Sequence, residues 1–256
     1  MGKKEYWRAG NMLYPLPAVM VSCQRGGERP NIITVAWTGT VCSDPAMVYI
    51  SVRESRHSYD IIRESGEFVI NLTTEELARV TDVCGVKSGR DIDKFKEMNL
   101  TPVPSKYVSA PSIAESPVNI ECRVKQIIPL GTHDMFLAEV LGVTADMDYM
   151  DEDGHFDLSA SRPLVYSHGG YYAQGRKLGK FGFSVEKKKR KTHRRKFPRR
   201  RGKKELLKRK SGRRKCHLKI HNFIKYAQNN GKDPVFCDPA SLHISDKKYD
   251  ICKEVF

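Results

Sequence analysis

The stretch NIITVAWTGTV, residues 31–41, decides the fold because its β-branched and aromatic residues are typical of a β-strand. Successive side chains of a strand point to opposite faces, so the stretch predicts one strand with two unlike faces. One face is apolar and typical of a core: Ile33, Val35, Trp37 and Val41. The other face is small and mostly hydroxylated: Thr34, Ala36, Thr38 and Thr40. This second face either meets solvent, as in a Thr-rich edge strand, or leaves room for a flat ligand.

Similar runs of residues on both sides of this stretch predict further strands. They lie at residues 18–23, 46–53 and 67–72, and the turns QRGGERPN and CSDPA connect the nearest of them to the opening strand. A parallel return needs about a dozen or more residues of crossover, so this spacing predicts antiparallel neighbours. More strands are expected later in the chain, at residues 118–130, 135–147 and 163–174.

Three helices are predicted between these strands. The first is capped by Ser55 and stops at Gly66. The second begins at a capping box formed by Thr73 and Glu76. The third starts at SGRD, residues 88–91, and apolar residues then recur at helical spacing at Ile92, Phe95 and Met98. Many short antiparallel strands with a few inserted helices predict a mainly β chain built as one β-barrel domain.

The positive charge of the chain is concentrated in its C-terminal part. The whole chain has a formal charge of +15. Residues 185–256 hold 25 Lys and Arg against 7 Asp and Glu, a net charge of +18, which leaves 20 against 23, or −3, for residues 1–184. The basic run 187–215 has too few apolar residues to offset its ordering entropy, so a tail without a fold of its own is predicted. Such a tail either binds RNA, DNA or an anionic membrane, or is a disordered, solvated extension.

The remaining composition indicates the compartment. The seven cysteines are scattered and form no CxxC pair, which is typical of reduced thiols. No apolar stretch reaches the roughly 18 residues of a membrane span, and the N-terminus has no secretory signal pattern. We therefore expect a soluble cytoplasmic protein. Cys42 and Cys84 are interpreted as small buried side chains rather than as redox partners. The cysteines and histidines beyond residue 215 match no standard zinc spacing, so no metal site is predicted.

The segment SVRESRHS, residues 51–58, carries a candidate anion site. A strand is predicted to end at Arg53 and a helix to begin near Ser55, with cations in its first turn. Unpaired backbone N–H groups at a helix N-terminus, together with hydroxyls and guanidinium groups, bind phosphate. The alternative is an exposed basic helix start with serine caps.

Several separated motifs, in the same order, resemble the flavin reductase-like, flavoredoxin-type family. The motifs run from PAVMVSC (17–23) through the two segments above to EFVINL (67–72), followed by CGVKSGRDIDKF (84–95) and GTHDMFLAEV (131–140). The resemblance covers about Leu16 to Phe183, so residues 1–184 are predicted to be the family domain and residues 185–256 a basic extension. It implies a Greek-key split β-barrel, a homodimer with FMN near the subunit interface, and electron or hydride transfer through that flavin.

The resemblance also implies roles for individual residues. Residues of the opening strand border the isoalloxazine ring: Asn31, Thr34, Ala36, Trp37 and Thr38. Residues of the next motif form the phosphate and ribityl site: Ser51, Val52, Arg53, His57 and Ser58. Lys94 adds positive charge to the phosphate. His133 matches a histidine that lies on the nicotinamide side of the flavin in some members, and it is the predicted catalytic residue.

The function implied by the resemblance is an FMN-dependent oxidoreductase. It would take hydride from NADH or NADPH and pass electrons to free flavin, a ferric complex or a protein acceptor. Two alternatives stay open: a non-enzymatic FMN-binding electron carrier, and a nucleic-acid-associated protein that acts through its basic tail. The chain has no GxGxxG fingerprint, so a nicotinamide is expected to bind transiently against the flavin. His168 is expected either at the mouth of the pocket or in a turn.

Overall fold

The computed structural model describes residues 2–186 of the chain. Twelve strands lie within these residues: β1 Leu16–Pro17, β2 Val19–Cys23, β3 Asn31–Val35, β4 Thr38–Ser43, β5 Ala46–Val52, β6 Glu67–Leu72, β7 Pro102–Val103, β8 Ser112–Ile113, β9 Val118–Pro129, β10 Asp134–Ala145, β11 Leu164–Ser167 and β12 Gly170–Ala173. Three α-helices accompany them: α1 His57–Ser65, α2 Ala78–Val86 and α3 Lys94–Glu97. Two short 3-10 helices lie at Met147–Tyr149 and Leu158–Ser161.

Seven of the strands form one antiparallel sheet in the order β3-β2-β6-β9-β10-β5-β4. β3 and β4 follow each other in the chain but lie at opposite ends of this order. Only Ala36 and Trp37 separate β3 from β4 in the chain, so the two ends of the sheet meet at this corner. The sheet therefore curls into a barrel whose end strands are joined by the chain, and the predicted mainly β barrel is confirmed.

The single strand predicted for residues 31–41 is wrong in one respect. The chain turns at Ala36 and Trp37, so the stretch forms two strands, β3 and β4. Ile33 and Val35, before the turn, are buried in the barrel core as predicted. Beyond the turn the alternation of faces no longer continues that of β3, because β4 runs in a new direction. Trp37 is therefore only half-buried and Val41 is 49% exposed.

Two apolar layers lie on the two faces of the sheet. The inner layer fills the barrel and includes Val19, Val21, Ile33, Val35, Ile50 and Phe136. The outer layer joins α2 and α3 to β2 and β3 and includes Met20, Ile32, Leu77, Cys84, Phe95 and Leu100. β2 is buried on both faces for this reason. The outer layer places both helices against the face of β3 that carries Thr34.

The helices occur where they were predicted, but all three begin later than predicted. α1 begins at His57, two residues after the predicted cap, and ends at Ser65, followed by Gly66, whose φ of 67° suits glycine. α3 begins at Lys94 rather than at SGRD, residues 88–91. α2 begins at Ala78, so the predicted capping box is wrong. The hydroxyl of Thr73 donates to the carbonyl of Ala18 instead, which ties the end of β6 to the start of β2.

The later strands follow the prediction with one exception. β9 and β10 are the two strands predicted around the turn at residues 131–133. The single strand predicted for residues 163–174 is a hairpin, β11 and β12. His168 and Gly169 form its turn, with φ values of 47° and 81°. Of the two positions expected for His168, the structure therefore shows the turn.

One compact unit of the chain extends to Gly179. The predicted domain boundary at residue 184 lies at the end of the described residues, and the prediction for the basic tail, 187–256, lies outside them. Both stay predictions. No helix within residues 2–186 is long and apolar enough to cross a bilayer.

Candidate functional site

A cleft of about 400 Å³ opens at the corner between β3 and β4, and we call it the wide cleft. Its volume lies within the roughly 300–1,000 Å³ that is typical of small-molecule sites. The corner, the end of β5, the turn between β9 and β10, α2 and the hairpin β11–β12 all contribute to it. Seven predicted site residues line it: Thr34, Ala36, Trp37, Ser51, Val52, Arg53 and His133.

A smaller pocket of about 140 Å³ adjoins the wide cleft, and we call it the basic pocket. Both cavities have Ile33, Arg56 and Gly85 in their walls. Four cationic side chains line the basic pocket: Arg56, Lys87, Arg90 and Lys94. Among the described residues no Asp or Glu lines it. A concave surface with four cations and no carboxylate attracts an anion.

The first turn of α1 borders the basic pocket. Its N-cap residue, Arg56, makes no side-chain capping bond, and His57 and Ser58 line the cavity. The helix N-terminus therefore adds backbone N–H groups to the four cations. Burial, followed by the charge of Arg90, lowers the pKa of His57, so this imidazole is mostly neutral near pH 7.

The loop 87–90 forms another part of the wall, and contacts with β3 and the segment before it hold this loop. Arg29 donates to the carbonyl of Gly89 at 2.7 Å. Asn31 packs against Gly89 and donates to the hydroxyl of Ser58 at 2.8 Å. A Cβ at position 89 would lie 2.0 Å from Asn31 Oδ1, so only glycine fits here without a shift of the asparagine. Asn31 thus links the loop to the start of α1.

Lys94 is the buried cation of the basic pocket, at 3% exposure. Its ammonium group donates to the carbonyls of Ile32 at 2.6 Å and Cys84 at 2.7 Å. An ammonium group has three hydrogens, so one donor remains beyond these two bonds. Desolvation lowers the pKa of Lys94, and the absence of a carboxylate partner among the described residues agrees with a site built to receive an anion.

His133 lies in the wide cleft with both ring nitrogens in contact with neighbours. Arg53 Nε donates to His133 Nε2 at 3.4 Å, and the hydroxyl of Thr132 lies 2.9 Å from Nδ1. The rings of His133 and Trp37 are parallel within 2°, with centroids 6.3 Å apart. Desolvation, followed by the charges of Arg53 and Arg56, lowers the pKa of His133, so the ring is neutral at pH 7.

Tyrosines supply an aromatic wall to the wide cleft. Tyr166, on β11, lies with its ring centroid 6.5 Å from that of Trp37 and 5.7 Å from that of Tyr171. Tyr14 contacts Tyr166 and, at 4.5 Å between centroids, His168. The cleft therefore combines flat aromatic surfaces with two guanidinium groups, those of Arg53 and Arg56.

Eleven of the twelve predicted site residues line one of the two cavities. Besides the seven on the wide cleft, four line the basic pocket: Asn31, His57, Ser58 and Lys94. The exception is Thr38, which is buried and donates to the carbonyl of Tyr49 at 2.7 Å. Thr34 reaches the wide cleft, but its hydroxyl donates to the carbonyl of Thr81 on α2. The small face of β3 is thus largely covered by a helix. The two alternatives expected from the sequence were a solvent-exposed face and an open face for a flat ligand.

The predicted phosphate and ribityl residues divide between the two cavities. Ser51, Val52 and Arg53 line the wide cleft, whereas His57 and Ser58 line the basic pocket. The division arises because β5 ends at Val52 and α1 begins at His57, so the intervening turn separates the two groups. Arg56 lies in that turn and reaches both cavities.

Five functional candidates were missing from the predicted set: Arg56, Lys87, Arg90, Tyr166 and Tyr171. The three cations had a signal, because each adjoins serine or glycine in a segment already interpreted as a contact region. The two tyrosines had none, since the hairpin that carries them is far away in the chain and was predicted as a single strand. The pairing of β1 with β11 and backbone contacts of Thr73 and Thr74 with Leu164 and Pro163 bring them to the cleft.

The cysteines contribute packing rather than reactivity. Cys84 lines the basic pocket but is fully buried, and desolvation raises the pKa of its thiol to about 11. Cys42, at the far end of β4, lines neither cavity, and its thiol contacts the carbonyl of Asp44. The cysteines and histidines considered for zinc lie outside the described residues.

Comparison with known proteins agrees with this arrangement. The family model for the flavin reductase like domain matches residues 11–175. An uncharacterized protein of Archaeoglobus fulgidus is 36% identical over 132 residues, which cover 52% of this chain and 73% of the relative. The NADH-dependent FMN reductase AsuE2 of Streptomyces nodosus subsp. asukaensis is 27% identical over 172 residues, 66% of this chain and 84% of that protein.

The fold also matches a solved structure closely. The flavoredoxin of Desulfovibrio vulgaris (Miyazaki F) is 32% identical and superposes with a TM-score of 0.67, covering 72% of this chain and 100% of the flavoredoxin. The barrel described above is therefore the split barrel of flavin reductases. The matched region contains both cavities, and by the extent of the family match this chain belongs to the flavin reductase-like domain family.

Proposed function

We propose that this chain is an FMN-binding oxidoreductase that takes hydride from NADH or NADPH and passes electrons to free flavin, a ferric complex or a protein acceptor. The observation that carries the proposal is the direct contact between a small cationic pocket and a larger aromatic cleft. A flavin nucleotide has the same two parts, an anionic phosphate and a flat ring system. The two cavities share a wall at Ile33, Arg56 and Gly85, so one flavin nucleotide would extend across both.

The basic pocket supports FMN as the form of flavin. Its four cations would hold the phosphate: Arg56, Lys87, Arg90 and Lys94. At about 140 Å³ the pocket is suited to one phosphate group with part of the ribityl chain. The second phosphate, ribose and adenine of FAD would have to lie outside it, where these four side chains give them no enclosed site.

The wide cleft supports electron transfer at the ring. When bound, the flavin supplies the redox chemistry, whereas the protein sets its orientation and the polarity around it. Trp37, Tyr166 and Tyr171 provide flat contact surface for the ring. Arg53 and Arg56 place positive charge at the cleft, Asp82 adds one carboxylate, and the lowered pKa of His133 keeps its ring mostly neutral near pH 7. No acid or base of the protein is required for hydride to reach a flavin.

Relatives supply independent support for the reaction. AsuE2 is named as an NADH-dependent FMN reductase, and the Desulfovibrio protein as a flavoredoxin. The first name supports nicotinamide turnover. The second leaves an electron carrier without nicotinamide turnover as the alternative.

Spectroscopy of the purified protein tests the proposal. We expect a yellow protein, or one that becomes yellow with added FMN, and bleaching of the flavin band by NADH or NADPH without oxygen. Dithionite is the matched control, because it reduces accessible flavin without a nicotinamide site. Bleaching by dithionite alone would indicate the carrier, and a protein that stays colourless after incubation with FMN would overturn both functions.

A further inference from the structure

A buried hydrogen bond joins α1 to the first residue of β10, and it lies outside both cavities. The hydroxyl of Tyr59 donates to Asp134 Oδ2 at 2.5 Å, and the two residues are 4% and 6% exposed. Neither lines the wide cleft or the basic pocket. The hydrogen bond to Asp134, followed by desolvation, raises the pKa of Tyr59 to about 12, so the hydroxyl keeps its proton and remains the donor.

This bond connects the two ends of the candidate site. Tyr59 directly follows His57 and Ser58, which line the basic pocket. Asp134 directly follows His133, which lines the wide cleft. The ring of Tyr59 also packs edge-on against Phe136 with centroids 5.4 Å apart, so packing fixes the tyrosine on its side of the bond.

One backbone hydrogen bond closes the turn that carries His133, from the N–H of Leu130 to the carbonyl of His133 at 3.0 Å. The ladder between β10 and β5 ends at the pair Asp134 and Val52, and the ladder with β9 ends at Asp134 and Pro129. His133 therefore lies just beyond the last pairs of both ladders, where pairing frays most easily. Both residues of the terminal pair Asp134 and Val52 are buried, and Asp134 is the one whose side chain bonds to α1.

The ring of His133 is held in one tautomer. Arg53 Nε always carries a hydrogen, so it is the donor to His133 Nε2, and Nε2 must accept. In a neutral imidazole the single hydrogen then lies on Nδ1 and points to the hydroxyl of Thr132. A small rotation of the turn would break both contacts, because each joins the ring to only one partner.

We propose that Tyr59 and Asp134 are positioning residues, whose hydrogen bond holds the turn 130–133 so that His133 stays a neutral Nδ1–H imidazole parallel to Trp37. The value of this position for electron transfer rests on the proposed function, in which a nicotinamide approaches beside His133. The placement and tautomer of the His133 ring do not depend on the flavin, so both are measurable in the cofactor-free protein.

Nuclear magnetic resonance of the cofactor-free protein tests the position. Long-range proton–nitrogen spectra distinguish the two imidazole tautomers, and His133→Gln assigns the signals among the eight histidines. We expect the wild type at pH 8 to show hydrogen on Nδ1. Tyr59→Phe removes the donor, and the His133 nitrogens should move toward the average of the two tautomers. As a single variant, Asp134→Asn keeps an oxygen acceptor for the hydroxyl of Tyr59 and should show the same His133 signals as the wild type.

A second variant removes the bond between Tyr59 and Asp134 without leaving a buried charge. Tyr59→Phe leaves the carboxylate of Asp134 buried and unpaired, which is unfavourable. The double variant Tyr59→Phe, Asp134→Leu leaves no polar group unpaired and should show the same shift of His133. The proposal is overturned if the folded double variant keeps wild-type His133 signals, or if the wild type carries its hydrogen on Nε2.

Kinetics of the FMN-loaded protein give the functional comparison. Tyr59→Phe should lower the limiting rate of flavin reduction by NADH about tenfold, with less than about a twofold change in the Kd of FMN, because a misplaced group affects the reaction more than binding. A loss of FMN affinity equal to the loss of rate would overturn the positioning role. If neither nicotinamide reduces the wild type, the proposed function fails, while the tautomer comparison still decides the role of Tyr59 and Asp134.

Discussion

Lys94 shows how the tertiary structure determines the burial and the hydrogen bonds of a single cation. The family resemblance implied that Lys94 adds positive charge to a phosphate, and this prediction needed only the motif around it. Its burial between the carbonyls of Ile32 and Cys84 was not predictable, because those contacts require α2 and β3 to pack together. The same holds for Arg56 and Arg90, whose shared pocket exists only once the loop 87–90 lies beside α1.

Replacement of Lys94 tests both its contact with FMN and its contribution to the stability of the fold. Lys94→Met should weaken FMN binding about tenfold or more, since a charge-assisted hydrogen bond contributes about 1.5–3 kcal/mol. Fluorescence quenching of free FMN measures this affinity. The same change should lower the free energy of unfolding by about 1–3 kcal/mol, because two carbonyls lose their donor. Lys125→Gln, at an exposed ion pair with Glu139, is the control and should alter neither quantity.

Arg90 tests whether the basic pocket holds a phosphate. Arg90→Gln should weaken FMN binding about tenfold while leaving riboflavin binding nearly unchanged, because riboflavin lacks the phosphate. Titration of both ligands by fluorescence gives the comparison. Arg63→Gln, at the opposite end of α1, is the matched control. Equal losses for the two ligands would contradict the assignment of this pocket.

The pH dependence of FMN binding follows from the same lysine. Desolvation lowers the pKa of Lys94, so its charge is lost as pH rises through a value below the ordinary 10.5. FMN affinity should therefore fall with rising pH in the alkaline range before ordinary lysines titrate. Lys94→Met should remove this fall, whereas riboflavin should show little of it in either protein. A wild-type FMN affinity that stays constant to pH 10.5 would contradict the role of the charge.

At the scale of elements, strands were more predictable than helix starts. Strand alternation and short turns depend on local sequence, so β2, β5, β6, β9 and β10 lie where they were predicted. The capping box at Thr73 failed because the hydroxyl found a tertiary partner, Ala18, that local sequence does not show. The break between β3 and β4 was missed for a similar reason, since closure of the sheet requires the turn.

The close packing of the loop 87–90 on β3 gives a test at this scale. Gly89→Ala should displace Asn31, because the new Cβ would lie 2.0 Å from its Oδ1. The bond from Asn31 to Ser58 should then weaken, and FMN affinity should fall about tenfold. Isothermal titration calorimetry measures the change. Gly26→Ala has open space around its Cβ and should bind FMN as the wild type does.

At the scale of the whole molecule, the family domain and the basic tail are expected to act independently. Removal of residues 186–256 should leave the affinity for FMN within about a factor of ten, or 1.4 kcal/mol. The comparison requires the full chain and the shortened chain at the same salt concentration, because +18 of charge lies in residues 185–256 and attracts anions generally. A larger loss on shortening would mean that the tail contributes to the flavin site.

The assembly state is the second expectation at this scale. We expect a homodimer, as the family resemblance implies, and light scattering should give twice the chain mass of 29.2 kDa. β4 is the edge strand of the sheet and exposes Val41 at 49%, which makes this edge a candidate contact. Val41→Lys should then lower the dimer fraction, while Val143→Lys, a similarly exposed residue on β10, is the control.

The turn at Ala36 and Trp37 serves two requirements at once. It connects the two end strands of the sheet, β3 and β4, and the same residues form a wall of the wide cleft. Under the proposed function, selection for a new electron acceptor therefore acts on residues that also join the two ends of the barrel sheet. Substitutions that reshape this wall should be tolerated only with compensating changes in β5, whereas the hairpin β11–β12, which lies outside this sheet, should accept changes more freely.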